Sequence, residues 1–432
     1  MKFSRMKKQV DLIISDITEL VTMHSKAPRQ RRGPDAMNSL GIIHHGAVAV
    51  HKDRIVSVGS TDDILKSYSS RKIIEAEGKT VTPGLIDAHT HPVFMGDRSD
   101  EFELKIMGAT YQQIAAAGGG IKSTVRKVRQ ATKEELKTNA VKYLARFIRC
   151  GTTTIEAKSG YGLTTDDEIK MLEAIKELNS GAFGAINSER PEMVSTFLGA
   201  HEIPDEYKDN KAGYVDLIIR EMIPLVAKRK LAEFCDVFCE KNVFEIEDSR
   251  RVLKAAKEHG LGIKLHADEF APLGGAELAV ELGAVSADHL MAISDNGIKM
   301  MAAQKNKTIA VLLPGTTFML GLKSYAPARR MIDAGLAVAL ATDFNPGTSF
   351  TESLPMIMTI ACVKMKMTPA EALTAVTINA ACAINRENSI GSLEPGKQAD
   401  MVIWDSPSYK HIPYHFGVNL VDKVIKRGKV IK

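Results

Sequence analysis

Two histidines that follow a short apolar segment form the pattern from which chemistry is most readily predicted. Residues 85–88 have the composition of a buried strand, and His89 and His91 stand at its end. In a strand, residues i and i+2 point to the same face, so the two imidazoles lie side by side. They form a candidate pair of metal ligands. An isolated His-x-His arises often by chance, so the prediction depends on further ligands.

Two more residues of the kind that binds metals end later apolar segments. His266 ends segment 262–266, and Asp343 directly follows segment 337–342. Taken singly, each is as well explained as a buried polar residue or a helix cap. Three imidazoles and one carboxylate that meet at one point suit Zn²⁺ or an iron ion, with a position left for water. Such an ion lowers the pKa of water toward neutrality, which makes hydroxide available at physiological pH.

The elements that must position these ligands alternate between strand and helix. Eight apolar segments have the character of parallel strands that are buried on both faces. The predicted strands are 85–91, 152–157, 194–200, 234–239, 262–266, 285–289, 308–313 and 337–342. Two helices, 354–365 and 369–384, are predicted after the last strand. The pattern predicts an α/β fold, a TIM-type (β/α)₈ barrel, whose active site lies at the carboxyl ends of the strands.

Both ends of the chain are rich in short β segments. Strands are predicted at 10–15, 46–51 and 54–58 and again at 400–405, 418–424 and 428–431. We expect residues 1–81 and 388–432 to form one composite β-sandwich domain beside a barrel domain of residues 82–387. The basic run 29–32 is predicted to be a solvated loop. His44 and His45 are adjacent and are predicted to be turn or surface residues.

Composition excludes several classes of partner. A net charge of +5 over 432 residues is small, and no aromatic residues are interleaved with the basic run, so neither nucleic acid nor a membrane surface is expected as a partner. No apolar run approaches the roughly 20 residues of a membrane span. The five cysteines are odd in number and lie mostly in apolar surroundings, which is typical of reduced thiols and predicts a cytoplasmic protein.

The ligand pattern, flanked by β segments from both termini, resembles the amidohydrolase superfamily. Within it, segments 92–98, 101–104, 115–121, 158–163, 198–201, 236–240, 266–269 and 342–347 resemble the imidazolonepropionase family. The resemblance implies one divalent metal, Zn²⁺ or Fe²⁺/Fe³⁺, and hydrolysis of the cyclic amide of 4-imidazolone-5-propanoate to N-formimidoyl-L-glutamate, the third step of histidine degradation. Many superfamily members instead bridge two metals with a carbamylated lysine after strand four, near which Lys241 lies; a mononuclear site is preferred here.

The resemblance also implies which residues hold the substrate, a planar polar ring with a propionate tail. Arg98, seven residues beyond His91, would bind the tail carboxylate with its planar guanidinium. Tyr161 would donate its hydroxyl to the tail or the ring. Asn345, Gly347 and Thr348 would line the pocket and contact substrate or product.

Catalytic roles follow from the same resemblance. His201 would bind the ring carbonyl and stabilise the oxyanion. Glu269 would reach the ring nitrogens or the attacking water. His289 would orient Asp343 or the water, and Asp343 would accept the water's proton. Which carboxylate moves each proton stays open.

Two alternatives stay open at this stage. One is another cyclic-amide hydrolase or a deaminase with the same metal set, which would not need a carboxylate-binding arginine at Arg98. The other is a barrel that has lost its metal, which the four filled ligand positions argue against. A small-molecule substrate is the expected partner, and a homodimer is suggested by analogy alone.

Overall fold

The structure is a computed structural model. It describes residues 7–25, 29–109, 113, 118–180, 190–304 and 308–432. Of the motif at 115–121, residues 115–117 therefore lie outside the described residues.

The strands of the described chain belong to two large sheets and one small pair. Before the barrel come β1 (Lys8–Gln9), β2 (Leu12–Val21), β3 (Ile42–His51), β4 (Arg54–Ser60), β5 (Tyr68–Ser69), β6 (Ile73–Glu75) and β7 (Thr80–Pro83). The barrel strands are β8 (Leu85–Asp87), β9 (Thr152–Lys158), β10 (Glu192–Ala200), β11 (Phe234–Cys239), β12 (Gly262–Ala267), β13 (Ser286–His289), β14 (Ile309–Leu312) and β15 (Val338–Leu340). The last strands are β16 (Met401–Trp404), β17 (Val421–Lys426) and β18 (Lys429–Val430).

The helices lie mostly between the barrel strands. Those before β10 are α1 (Gly33–Met37), α2 (Thr61–Ser67), α3 (Ser99–Ile106), α4 (Ile121–Gln130), α5 (Lys133–Arg149) and α6 (Thr165–Ser180). Those that follow are α7 (Lys211–Leu217), α8 (Ile223–Lys228), α9 (Ile246–Glu258), α10 (Gly275–Leu282), α11 (Asp295–Ala303), α12 (Pro314–Met319), α13 (Ala328–Asp333), α14 (Leu354–Met365), α15 (Pro369–Ala375), α16 (Ile378–Ala383) and α17 (His411–Tyr414). A 3₁₀ turn spans Asp205–Tyr207, and the π-helical turn Ile218–Met222 joins α7 to α8.

The eight barrel strands run parallel and follow one another in chain order around the sheet. Two hydrogen bonds join the first strand to the last just beyond their carboxyl ends: Asp343 N donates to His89 O at 3.1 Å, and His91 N donates to Phe344 O at 2.8 Å. The predicted (β/α)₈ barrel is confirmed. Its closure brings the segments after β8 and β15 side by side.

The two ends of the chain meet in the second large sheet. Within it, β7 lies between β2 from the amino-terminal end and β16 from the carboxyl-terminal end. Trp404 of β16 is fully buried, and its indole Nε1 donates to Thr82 Oγ1 of β7 at 2.9 Å. The predicted sheet built from both termini is confirmed, while the exact domain limits at residues 81 and 388 stay predictions.

Two local predictions were wrong. The helix predicted at 369–384 is two helices, α15 and α16, because the carbonyl of Val376 accepts a hydrogen bond from Ile86 N of β8 and Thr377 leaves the helical conformation. The basic run 29–32 is not a solvated loop throughout. Arg31 is buried, and its guanidinium donates to the carbonyl of Met23 at 2.9 Å.

Within the described ranges, none of the helices combines the length and the apolar character that a bilayer crossing requires. The longest of them, α5, has an amphipathic pattern. Its first turn is held by a capping box in which Thr132 and Glu135 each accept a hydrogen bond from the other's backbone N–H.

Candidate metal centre and active site

Four of the predicted ligands converge at the carboxyl end of the barrel. Oδ1 of Asp343 lies 3.6 Å from Nε2 of His89 and 3.5 Å from Nε2 of His91. The His266 ring centroid lies 4.5 Å from that of His89. All four side chains are buried. The nitrogens and the carboxylate oxygen therefore surround one small space.

The donor set and its spacing fit a metal ion. Four donors at tetrahedral positions about 2.1 Å from an ion lie about 3.4 Å apart, close to the separations from Asp343. His89 Nε2 is buried and, among the described residues, has no hydrogen-bond partner. Burial lowers the pKa of His89 and of His91, which keeps both imidazoles neutral and able to bind a cation. His289 also has a nitrogen within reach of the His89 and His266 donors.

Asp343 is held as a carboxylate. Burial acts to raise its pKa, but His91, His289 and the Thr316 hydroxyl outweigh it and hold the pKa at about 2. Thr316 Oγ1 donates to Oδ2 at 2.5 Å, which leaves Oδ1 toward the histidines. Asp343 and His289 both have positive φ, 53° and 74°, a conformation that non-glycine residues seldom adopt and that recurs at active sites.

Two buried carboxylates that sequence reasoning missed hold the metal histidines from behind. Asp288 Oδ2 accepts from His89 Nδ1 at 2.6 Å, which leaves Nε2 for the ligand space. Asp236 Oδ2 lies 2.9 Å from His266 Nδ1, off the line that a hydrogen bond needs. The available signal was position: Asp288 immediately precedes His289, and Asp236 lies on the predicted fourth strand. Such carboxylates fix the orientation of metal-binding imidazoles.

A cavity of about 600 Å³ opens above the ligand cluster. Ten of the twelve predicted site residues line it, and His89 and Gly347 do not. The ten are His91, Arg98, Tyr161, His201, His266, Glu269, His289, Asp343, Asn345 and Thr348. The size suits one small-molecule ligand.

Arg98 stands on the cavity wall directly over Gly347. A Cβ built on Gly347 would lie 1.2 Å from Nη2 of Arg98, so the guanidinium packs on the bare backbone of this glycine. Nε of Arg98 is buried and, among the residues described, has no hydrogen-bond partner. A half-buried cation whose Nε donor is unsatisfied, at a cavity wall, is suited to binding an anionic group of a ligand.

Tyr161 and His201 lie beside the metal ligands. The His201 ring stacks on His91 with centroids 5.2 Å apart, and the Tyr161 centroid lies 5.4 Å from His201. His201 Nδ1 donates to the carbonyl of Gly160 at 2.9 Å. Burial and the nearby His91 and His266 lower the pKa of His201 well below its usual value. The ring is therefore neutral, and its Nε2 carries a lone pair.

The oxyanion role predicted for His201 stays a prediction. In its neutral form, with the proton on Nδ1 donated to Gly160, the ring is suited to accepting a hydrogen bond at Nε2 from an N–H group of a ligand, whereas the oxyanion role requires a proton on Nε2.

Glu269 is the second carboxyl group of the cavity. Burial, Asp343 and Glu240 raise its pKa well above the usual value. Its Oε1 lies 3.5 Å from His289 Nδ1, and burial lowers the pKa of His289 to about 3. The pKa values of Asp343 and Glu269 are thus shifted in opposite directions, which is the arrangement that separates a base from an acid.

The remaining predicted residues hold the loop after β15. The Asn345 side chain accepts from Gly347 N and Thr348 N at 2.8 Å each, so most of its bonding capacity maintains the loop. Gly347 contacts Arg98 and does not line the cavity.

Lys241 is exposed and absent from the cavity wall, which gives no support to a role in bridging two metals.

Comparison with known proteins agrees with this geometry. Residues 80–431 match the model of the amidohydrolase family. A protein of Alkaliphilus metalliredigens named imidazolonepropionase is 51% identical over 426 residues, 98% of each chain, and one of Fusobacterium nucleatum with the same name is 47% identical over 98% of this chain and 99% of its own.

Solved structures show the same fold at low identity. A triazine hydrolase variant superposes with a TM-score of 0.72 at 15% identity, covering 97% of this chain and 94% of its own. A zinc-bound adenosine deaminase from Xanthomonas campestris gives 0.69 at 18% identity, covering 98% and 93%. The chain therefore belongs to the amidohydrolase family and, within it, to the imidazolonepropionase family.

Proposed function

We propose that this chain hydrolyses the cyclic amide C–N bond of 4-imidazolone-5-propanoate to N-formimidoyl-L-glutamate, with a divalent metal held by His89, His91, His266 and Asp343. One observation carries the proposal: the four-ligand cluster borders a cavity whose wall presents the guanidinium of Arg98, with its Nε unsatisfied among the described residues. Near 50% identity to proteins named imidazolonepropionase supports the substrate.

The side chains orient the substrate in two ways. Arg98 binds the propionate tail, and its planar donors suit a carboxylate. His201 accepts the ring N–H at Nε2, and Tyr161 donates its hydroxyl toward the tail. Burial raises the pKa of Tyr161, so the hydroxyl keeps its proton. These contacts direct the ring carbonyl toward the ligand cluster.

The chemistry requires a nucleophilic water and a proton for the departing nitrogen. A divalent ion in this donor set would lower the pKa of a water and polarise the carbonyl. Asp343, ionised and within the electrostatic reach of His289, accepts the water's proton. Glu269, whose raised pKa favours the protonated form, donates to the ring nitrogen as the C–N bond opens. The carbonyl carbon becomes the new carboxylate.

The test follows the ultraviolet absorbance of imidazolonepropionate, which urocanase generates in place from urocanate. We expect the absorbance to fall in the presence of the chain, with formimidoylglutamate as product, and the fall to stop when a chelator is added. The variant Asp343→Asn should lose activity by about 10²–10⁴-fold, the range of acid–base catalysis. Fully metallated protein that leaves the absorbance unchanged would refute the substrate.

The finer properties are also proposals. Zn²⁺ and iron both suit three imidazoles and one carboxylate, so the metal is to be identified by elemental analysis of the purified protein. The five cysteines are unpaired, which supports a reducing compartment such as the cytoplasm. A homodimer is to be tested by sedimentation velocity.

A further inference from the structure

A network of buried charges lies beneath the ligand cluster, inside the barrel. Barrel interiors are usually filled with branched apolar side chains. Here the interior also holds five ionisable side chains with no exposed surface: Glu156, Lys158, Asp236, Lys264 and Asp288. Buried charges are costly unless they are paired. Five of them inside one barrel therefore suggest that the network has a function.

Lys158 is the centre of this network. Its Nζ donates to Asp236 Oδ2 at 2.6 Å and to Glu156 Oε1 at 2.8 Å, and it lies 3.7 Å from Asp288 Oδ2. The same two aspartate oxygens face the metal histidines. Asp236 Oδ2 lies 2.9 Å from His266 Nδ1, and Asp288 Oδ2 accepts from His89 Nδ1.

We propose that Lys158 is a positioning residue of the metal centre, which sets the orientation of His89 and His266 through Asp288 and Asp236. One ammonium group thereby holds two ligands that lie on opposite sides of the barrel, after β8 and on β12. Lys158 touches no ligand itself. This inference rests on the metal site of the proposed function but does not depend on the substrate.

Lys264 provides a matched control. It is equally buried, and its Nζ donates to the carbonyl of Ala88 at 3.0 Å and lies 3.0 Å from Glu156 Oε1. In the described part of the chain, its ion pair within 4.0 Å is with Glu156 and not with either aspartate. Lys264 thus shares the burial and the charge of Lys158. It acts on Asp288 only through longer-range electrostatics and, unlike Lys158, lies beyond 4.0 Å of both aspartates that face the histidines.

The test measures zinc affinity by competition with a chelator of known affinity. Because Lys158→Met alone leaves the acidic groups uncompensated and can prevent folding, the comparison uses two charge-matched double variants, Lys158→Met/Glu156→Gln and Lys264→Met/Glu156→Gln. Each removes one ammonium and one carboxylate, so the formal charge of the network is the same in both. Near-ultraviolet circular dichroism of the metal-free chains checks that both fold.

We expect the Lys158 double variant to bind zinc about 10–100-fold more weakly than the wild type, the usual cost of losing support behind a metal ligand. The Lys264 double variant should stay within about threefold of the wild type. Equal losses in the two folded variants, or no loss in the Lys158 variant, would overturn the proposal. A wild-type chain that binds no zinc or other divalent metal would instead count against the proposed function.

Discussion

At the scale of single residues, the convergence of the candidate metal ligands was predictable and the carboxylates behind them were not. His89 and His91 are recognised as candidate ligands by their spacing, and Asp343 by its position directly after an apolar segment. Asp288 could not be recognised, because its partner His89 lies about two hundred residues away in the chain and the local sequence does not reveal the contact. The tautomer of His201 is hidden from the sequence for the same reason, since it depends on the hydrogen bond between Nδ1 and the carbonyl of Gly160.

Gly347 gives a prediction at this scale. In Gly347→Ala the methyl group would occupy the position of the Arg98 guanidinium, so we expect Arg98 to be displaced and KM to rise about tenfold or more, the cost of a lost charge-assisted contact, with a smaller change in kcat. Steady-state kinetics measures both.

Two controls accompany this variant. Gly59→Ala, whose added Cβ would meet its nearest neighbour at an ordinary 3.9 Å, should behave like the wild type. In an Arg98→Ala background, Gly347→Ala should add little, because the two changes remove the same interaction. Additive effects would contradict the proposed role of Gly347.

At the scale of elements, strands were predicted better than the joins between them. Buried parallel strands are marked by their apolar composition, so β9, β11 and β12 fall within a residue or two of the prediction. The break between α15 and α16 is marked only by the β-branched run 376–378, which lowers helix propensity slightly and does not by itself end a helix. It arises from a tertiary hydrogen bond, which Ile86 N of β8 donates to the carbonyl of Val376.

Asn379 of α16 joins distant elements and yields the second prediction. Its side chain bonds both the N–H and the carbonyl of Arg31, at 2.8 and 3.0 Å, and the carbonyl of Val338 at 2.9 Å. Asn379→Ala leaves these buried groups unsatisfied, so the free energy of unfolding should fall by about 2–4 kcal/mol. Differential scanning calorimetry would record the lower midpoint. Asn419→Ala, which removes an exposed hydrogen bond to the carbonyl of Arg149 and a partly buried one from Val421 N, should lower the midpoint less.

At the scale of the whole molecule, the sequence indicated that the two termini meet but not how they attach. An ion-pair cluster around Glu394 makes part of that connection. Arg29 Nη1 donates to Glu394 Oε1 at 2.6 Å, and Ser392 Oγ donates to the same oxygen at 2.5 Å. A basic run followed by proline and glycine is typical of a loop, so its contacts with residues over 350 positions away could not be predicted.

Glu394 predicts a pH dependence of stability. Burial acts to raise its pKa, but Ser392, Lys397 and Arg29 hold it at about 2, below the value of about 4.3 in an unfolded chain. Because the folded pKa is the lower one, the stabilisation is present above about pH 4.3 and is lost as the pH falls toward 2.

The variant Glu394→Gln isolates this contribution. At pH 7 it should be less stable than the wild type by about 1–2 kcal/mol, allowing for the partial exposure of the group. The difference should shrink as the pH falls through 4 toward 2.5 in thermal unfolding experiments. Glu77→Gln, at an exposed carboxylate, is the control. A difference that does not change with pH would contradict the prediction.

The closure of the barrel has a consequence for folding. The hydrogen bonds that join β8 to β15 are made by His89, His91 and their neighbours Asp343 and Phe344, so the seam of the barrel and the metal centre are the same few residues. These partners are about 250 positions apart, and closing so long a loop is entropically costly and slow. The complete ligand set therefore exists only after the last strand has docked. A nascent chain that has not yet added β15 has no Asp343 at the site, so we expect metal uptake to report the closure of the barrel.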